Sequence, residues 1–179
     1  MKDKPIYIHN SRFKPAISEE RILGVIKDMA DEINRDLGDK KPLFLSVLNG
    51  AFLFTADLIK HFNNECEISF VKMASYSGTE SGQLKSLIGL TEDVAGRNIV
   101  ILEDIIDSGH TLSKVMEILQ TRNPNSIELC TLVSKPSRRE IDLVVKFLGF
   151  EVEDRFIVGY GLDFDQKYRH LPFIGEIGL

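Results

Sequence analysis

The stretch from residue 99 to residue 112 constrains the fold of this chain more than any other. It reads IVILEDIIDSGHTL, and its first four residues are all apolar. An uninterrupted apolar run of this kind is typical of a strand buried on both faces, as in a parallel sheet. The polar turn and amphipathic segment that follow predict a helix that packs back onto the sheet. We therefore expect an α/β fold, with a twisted, mostly parallel sheet flanked by helices.

Two adjacent acids, Glu103 and Asp104, directly follow the apolar run. Desolvated carboxylates side by side would repel each other, so we expect both at the exposed carboxyl end of the strand. There they could bind ribose hydroxyls or a hard divalent cation, which prefers oxygen ligands. The alternative is that they are ordinary loop residues.

A short polar turn follows, made of Asp107, Ser108, Gly109, His110 and Thr111. Its backbone N–H groups, its two hydroxyls and the N-terminus of the predicted helix suit it to hold one phosphate. Taken alone, Ser-Gly before a helix is equally consistent with an ordinary turn. The order of apolar run, acid pair, third acid and hydroxyl-glycine turn is much more specific, and it favours the functional interpretation.

Residues 43–48 predict a second buried strand, which runs into Asn49, Gly50 and a helical pattern over residues 51–62. Glycine in this turn lets the backbone approach a ligand closely. A short strand–helix turn without any ligand is nevertheless the commoner case.

Lys135 follows a further apolar run over residues 127–133, which predicts another buried strand. Ligand-binding groups in open α/β sheets lie at the carboxyl ends of the strands. A single lysine at such a place is more often merely solvated, so the sequence alone leaves its role open.

The remaining elements frame these motifs. Ser18 is a suitable N-cap for a helix whose apolar residues recur at helical spacing, and Gly38 closes it. Residues 67–74 predict a strand, and residues 84–90 predict the strand that returns from it. Between them, residues 75–83 are small and polar, and they exceed the length of a simple hairpin turn, so we expect a mobile loop.

Length and composition narrow the class of protein to which this chain can belong. The chain has 179 residues, enough for one domain, and its formal net charge of -5 argues against a broad nucleic-acid-binding surface. No apolar run approaches the roughly 18 residues of a membrane span, and the first residues lack a signal-peptide core. Cys66 and Cys130 show no metal or redox spacing, which is typical of a cytoplasmic protein.

These motifs together resemble those of the type I phosphoribosyltransferases. Residues 99–111 are similar to the family's motif for 5-phosphoribosyl 1-pyrophosphate (PRPP). The resemblance extends over separate motifs in the family's order, from Leu48 to Arg169. Lys135 and the run FIVGYGLD over residues 156–163 resemble the hypoxanthine-guanine branch.

The resemblance implies an enzyme that joins a 6-oxopurine, hypoxanthine or guanine, to PRPP with Mg²⁺ as cofactor, releasing pyrophosphate. It also implies a single domain over residues 1–179 on the type I phosphoribosyltransferase fold. Its core would span about 35–135, and a small hood would be built from about 1–15 and 136–179.

The resemblance further implies roles for individual residues. Asp107 would exchange a proton with the purine N7, and Glu103 and Asp104 would hold the ribose hydroxyls. The turn from Asp107 to Thr111 would bind the 5'-phosphate. The other implied positions are Lys135, Phe156, Ile157 and Asp163 for the purine; Leu48, Asn49, Gly50 and Arg169 for pyrophosphate; Asp163, Glu103 and Asp104 for Mg²⁺; and Ser75 and Tyr76 for a lid.

Asn49 departs from the family pattern, which often has a basic residue there, so we expect pyrophosphate contacts from the backbone of this loop. Rival interpretations are an enzyme for another base, xanthine above all, and a PRPP-binding regulatory protein on the same fold. The expected partners are small-molecule substrates, without nucleic acid or membrane, and the expected assembly is a homodimer or homotetramer in the cytoplasm.

Overall fold

The computed structural model describes residues 6–8, 11–75 and 84–177. The helices are α1 (Glu19–Leu37), α2 (Phe52–Ile59) and α3 (His110–Gln120), with short 3-10 turns at Gly38–Lys40 and Pro136–Arg138. The strands are β1 (Ile6–Ile8), β2 (Ser11–Ile17), β3 (Leu43–Val47), β4 (Glu67–Ser75), β5 (Leu84–Ile88), β6 (Asn98–Ile106), β7 (Ser126–Ser134), β8 (Phe147–Glu151), β9 (Ile157–Val158) and β10 (Ile174–Ile177).

A six-stranded sheet in the order β5-β4-β3-β6-β7-β8 forms the centre of the molecule. All neighbouring pairs from β4 to β8 are parallel, and β5 runs antiparallel to β4. The apolar runs of β3 and β6 are buried on both faces, since α1 and α2 cover one face and α3 covers the other. The predicted α/β fold is confirmed.

Helix α1 begins as its sequence predicts. The Ser18 hydroxyl accepts a hydrogen bond of 3.3 Å from the Arg21 N–H, and the helix ends at Leu37. Gly38 keeps a right-handed conformation with φ of -53°, and the chain continues into a 3-10 turn. Gly38 therefore caps α1 as predicted, although the left-handed residue of this region is Lys41, with φ of 44°.

A second, four-stranded antiparallel sheet is built from both chain ends, in the order β1-β2-β10-β9. The sequence predicts a small hood from these two ends of the chain. Strand β8 also lies within residues 136–179, the segment predicted for the hood, but it pairs with β7 in the main sheet through Cys130 and Phe147. Phe147 is fully buried in the core beside α1, which accounts for this placement.

Strand β6 differs from its prediction in a way that matters for the site. It continues through Glu103 and Asp104 to Ile106 because β7 pairs with it up to Ser134. The sequence predicts both acids at the exposed carboxyl end of the strand, but the structure buries them. They lie inside the strand, close to its carboxyl end.

The lid region is described at one residue alone. Ser75 is the last residue of β4, whereas Tyr76 and the rest of residues 76–83 lie outside the described part of the chain.

Among the residues that the structure does describe, no helix is long and apolar enough to cross a membrane.

Candidate active site

The carboxyl ends of β3, β6 and β7 lie side by side, and the polar loops that follow them meet at one edge of the sheet. The loop after β3 carries Asn49 and Gly50, and the loop after β6 carries residues 107–109. Lys135 follows β7 directly. The topology of a parallel sheet thus brings together motifs that are far apart in the sequence.

The two acids of β6 face different environments. Side chains alternate along a strand, so Asp104 shares the α2 face with Leu102 while Glu103 shares the α3 face with Ile101. Asp104 is 8% exposed. Glu103 Oε2 is buried without a hydrogen-bond partner among the described residues.

Burial dominates the ionisation of both acids. Desolvation, with a smaller effect of the Asp104 charge, holds the pKa of Glu103 well above its usual range. Burial also raises the pKa of Asp104, to about 6. The backbone N–H groups of Asp104 and Ile105 act in the opposite direction and lower this pKa. Arg169 lowers the pKa of Asp104 and Asp163 raises it, so these three charges share one site. A cationic ligand there would relieve the repulsion between the acids.

Two glycines allow this close packing. A Cβ atom at Gly50 would overlap the Asp104 carboxylate, and a Cβ atom at Gly161 would overlap the Gly50 carbonyl. Gly161 also has φ of +95°, which side-chain-bearing residues rarely adopt. The Gly50 turn is therefore held between the β6 acids and the chain near Asp163.

The polar turn after β6 opens α3 as the sequence predicts. Gly109 precedes the helix with φ of 92°, and His110 is its first residue. The neighbouring chain braces this turn, because the Ser108 carbonyl accepts hydrogen bonds from Glu140 and Ile141, of 3.0 and 3.1 Å. The free backbone N–H groups of a helix N-terminus attract an anion, so the arrangement suits a phosphate.

The Asp107 and His110 side chains of this turn both have partners. Asp107 Oδ1 accepts a hydrogen bond of 3.1 Å from Arg138 Nε. His110 Nε2 lies 2.8 Å from Glu140 Oε2. The Asp107 carboxylate is 44% exposed, so a ligand can still reach it.

Lys135 is a buried cation, 8% exposed, at the end of β7. Its Nζ donates a 2.7 Å hydrogen bond to the Arg155 carbonyl and lies 3.8 Å from Asp154 Oδ1. An ammonium group carries three donors, so Lys135 keeps donor capacity for a ligand. The nearby carboxylate offsets part of the cost of burying its charge.

Phe156 is half exposed, and its ring packs edge-on against Phe164 with centroids 5.5 Å apart. Ile157 follows it in β9 and pairs with Glu176 of β10. An exposed aromatic face held at its edge can stack on a planar ligand.

Asp163 and Arg169 form an ion pair, with 2.7 Å between Oδ1 and Nη2. Arg169 Nη1 also donates a 2.7 Å hydrogen bond to the Gly161 carbonyl, which orients the guanidinium. Arg169 borders an open cleft of about 520 Å³, whose other lining residues are Phe52, Gln166, Lys167, Tyr168 and His170. A fixed guanidinium at a cleft suits phosphate oxygens.

The acids fit a magnesium ion that is shared with a ligand. No group of three or more His, Cys, Asp or Glu side chains with metal-binding geometry occurs in the described ranges. Mg²⁺ usually takes one or two protein carboxylates and completes its shell with water and substrate phosphates. Asp104 and Asp163 interact electrostatically, and the buried Glu103 Oε2 has no partner among the described residues. These carboxylates could supply the one or two protein ligands of such an ion.

Sequence reasoning missed four residues that organise this site: Arg138, Asp154, Asp57 and Tyr160. Arg138 contacts Asp107 and lies 3.6 Å from Asp154, while Tyr160 hydrogen-bonds to Asp57. Each pair joins residues that are distant in the sequence, and no local pattern marks them.

Known proteins are similar to this chain over most of its length. The family model of the phosphoribosyl transferase domain matches residues 17–165. The hypoxanthine-guanine phosphoribosyltransferase of Bacillus subtilis (strain 168) is 46% identical over 166 residues, covering 92% of each chain. The hypoxanthine phosphoribosyltransferase of Salmonella typhimurium is 44% identical over 168 residues, covering 91% of this chain and 94% of that one. A crystal structure of a hypoxanthine-guanine phosphoribosyltransferase from Bacillus anthracis, with HEPES in its active site, has a TM-score of 0.83 and 38% identity, covering 93% of this chain and 97% of that one.

Proposed function

The chain belongs to the phosphoribosyl transferase family, and we propose that it transfers the 5-phosphoribosyl group of PRPP to N9 of a 6-oxopurine. The products are IMP from hypoxanthine or GMP from guanine, together with pyrophosphate. Such a reaction recovers free purines for nucleotide synthesis. The names of the relatives support this enzyme over a regulatory PRPP-binding protein.

The observation that carries the choice of base is the buried ammonium group of Lys135. It lies at the carboxyl end of β7, beside the turn that begins at Asp107. A positive donor binds a 6-oxo group, which accepts hydrogen bonds, and disfavours the 6-amino group of adenine. Phe156 stacks on the purine ring, and the backbone of Ile157 meets its polar edge together with Asp163.

The reaction breaks the bond from ribose C1 to the pyrophosphate oxygen and forms the bond from C1 to purine N9. Positive charge develops on the ribose as the first bond breaks, and Glu103 and Asp104 stabilise it while they hold the ribose hydroxyls. Asp107 takes the proton from N7 as general base and returns it in the reverse direction. The turn from Asp107 to Thr111 holds the 5'-phosphate.

Pyrophosphate departs on the opposite side of the ribose. The turn of Leu48, Asn49 and Gly50 lines its site. The Leu48 N–H donates a 2.8 Å hydrogen bond to the Val71 carbonyl, so Asn49 and Gly50 offer their backbone N–H groups to pyrophosphate. Arg169 offers a guanidinium fork. Bound Mg²⁺ would neutralise the negative charge of this leaving group, and Asp163, Glu103 and Asp104 are the residues that would hold it. Ser75 and Tyr76 belong to a lid that excludes water from the cationic sugar.

The assay is pyrophosphate release from PRPP and Mg²⁺ with hypoxanthine, guanine, xanthine, adenine, uracil and orotate supplied separately. Release with hypoxanthine and guanine, and not with adenine or the pyrimidines, supports the proposal. Additional release with xanthine extends the substrate range to a 2-oxo group. PRPP binding without release from any base favours the regulatory protein.

We further propose that the protein acts in the cytoplasm as a homodimer or homotetramer, with no nucleic-acid or membrane partner. Phe52, Ile68 and Phe70 are large apolar residues that stay exposed in the single chain, which supports association. Light scattering of the purified protein measures the assembly directly.

A further inference from the structure

Four charges of alternating sign connect the loop after β6 with the loop after β7. Lys135 Nζ lies 3.8 Å from Asp154 Oδ1, and Asp154 Oδ2 lies 3.6 Å from Arg138 Nη1. Arg138 Nε then donates a 3.1 Å hydrogen bond to Asp107 Oδ1. Arg138 is therefore the one link in this series that contacts Asp107.

The backbone makes this connection short and stiff. The 3-10 turn Pro136–Arg138 follows Lys135 directly and ends at Arg138. The Arg138 N–H donates a 3.1 Å hydrogen bond to the Lys135 carbonyl. Two residues after Arg138, the Glu140 N–H donates a 3.0 Å hydrogen bond to the carbonyl of Ser108, the residue that follows Asp107. Lys135 and Asp107 are thus held by one continuous segment.

The chemistry of a purine requires such a connection. Its 6-oxo oxygen and its N7 lie next to each other on the same edge of the ring. In the proposed function Lys135 donates to the oxygen and Asp107 exchanges a proton with N7, so the two side chains must keep a fixed spacing.

We propose that Arg138 is a positioning residue, which holds the Asp107 carboxylate in register with Lys135 so that both meet one purine edge. This inference rests on the proposed function. Arg138 itself contacts neither reacting atom.

The exposure of the pair indicates a positioning role and not a stabilising one. The Arg138 and Asp107 side chains are 53% and 44% exposed, and ion pairs in such surroundings contribute little to folding. Removal of Arg138 should therefore leave a folded protein with a misplaced Asp107. A misplacement of about 1 Å at a reacting group can reduce a rate by roughly 100-fold.

The experiment compares Arg138→Gln with Arg122→Gln, which removes the same charge from an exposed residue after α3. For Arg138→Gln we expect kcat/KM for hypoxanthine to fall roughly 10- to 100-fold. The KM for PRPP and the melting temperature should stay at wild-type values, and Arg122→Gln should match the wild type in every respect.

A second comparison separates positioning from a general structural effect. Arg138→Gln is combined with Asp107→Asn, and the double variant should be no slower than Asp107→Asn alone, because a residue that acts through Asp107 has nothing left to position. An equal fold-loss in both backgrounds would overturn the inference, as would unchanged kcat/KM in Arg138→Gln. Absence of turnover in the wild type would instead overturn the proposed function.

Discussion

The phenol of Tyr160 donates a hydrogen bond of 2.5 Å to Oδ2 of Asp57, a residue 103 positions earlier in the chain. Tyr160 is 3% exposed, and burial together with the Asp57 charge raises its pKa. Asp57 lies in α2, directly after the Gly50 turn, whereas Tyr160 precedes Gly161, which packs on that turn. The bond therefore holds the segment that carries Asp163 and Arg169 against α2 and the Gly50 turn.

Tyr160→Phe removes this bond and leaves the partly buried Asp57 carboxylate with Lys60 as its remaining partner. We expect the free energy of unfolding to fall by roughly 1.5–3 kcal/mol, the range for a hydrogen bond to a charged group. A lower urea midpoint at an unchanged m-value measures this loss. Tyr168→Phe is the matched control, since that hydroxyl has no hydrogen-bond partner among the described residues. Equal losses in the two variants would contradict the assignment.

Asp107→Asn should bind PRPP and purine but turn over slowly, because an amide cannot accept the N7 proton. General base catalysis contributes about 10²- to 10⁴-fold, and we expect a loss of kcat in that range. Steady-state kinetics and PRPP titration separate turnover from binding. Asp165→Asn, at an acid with a 77% exposed side chain, is the control. Wild-type-like turnover in Asp107→Asn would remove this residue from its role.

Lys135→Gln replaces the buried ammonium by a neutral amide, which can still donate to the Arg155 carbonyl. A hydrogen bond from a charged donor contributes about 1.5–3 kcal/mol, so kcat/KM for hypoxanthine should fall roughly 10- to 100-fold. The preference for hypoxanthine over adenine should fall with it, since the amide can also accept from a 6-amino group. Lys114→Gln on α3 is the matched control. An unchanged ratio of the two bases would show that selectivity lies elsewhere.

The pH dependence of stability tests the burial of Asp104. Its pKa is about 6 in the folded protein against an ordinary value of 3.8, so the folded state holds this proton more tightly than the unfolded state does. Ionisation of Asp104 therefore lowers the free energy of unfolding as pH rises from about 4 to 6, by roughly 3 kcal/mol in total.

Asp104→Asn has no such ionisation. Its advantage in stability over the wild type should grow between about pH 4 and 6, as measured by urea unfolding across pH. Asp165→Asn should run parallel to the wild type over the same range. If the difference in unfolding free energy between Asp104→Asn and the wild type did not change with pH, the wild-type Asp104 carboxylate would ionise as freely in the folded protein as in the unfolded chain.

Features that depend only on residues adjacent along the chain were predictable before the fold was known. Apolar runs marked the strands β3, β6 and β7, because a strand covered on both faces needs no polar positions. Ser18 marked the start of α1 through its hydroxyl, and the polar residues 107–111 marked the turn that opens α3. From these local patterns and the family resemblance the α/β fold followed, and the structure confirms it.

The ends of these elements and the contacts of their side chains depend on the packing of the whole chain. Strand β6 runs through Glu103 and Asp104 because β7 supplies hydrogen bonds as far as Ser134, and the acids are buried for that reason. Arg138 reaches Asp107 across 31 residues, and Tyr160 reaches Asp57 across 103. Such contacts arise from the order of strands and from the packing of the hood on the sheet, which no spacing along the chain specifies.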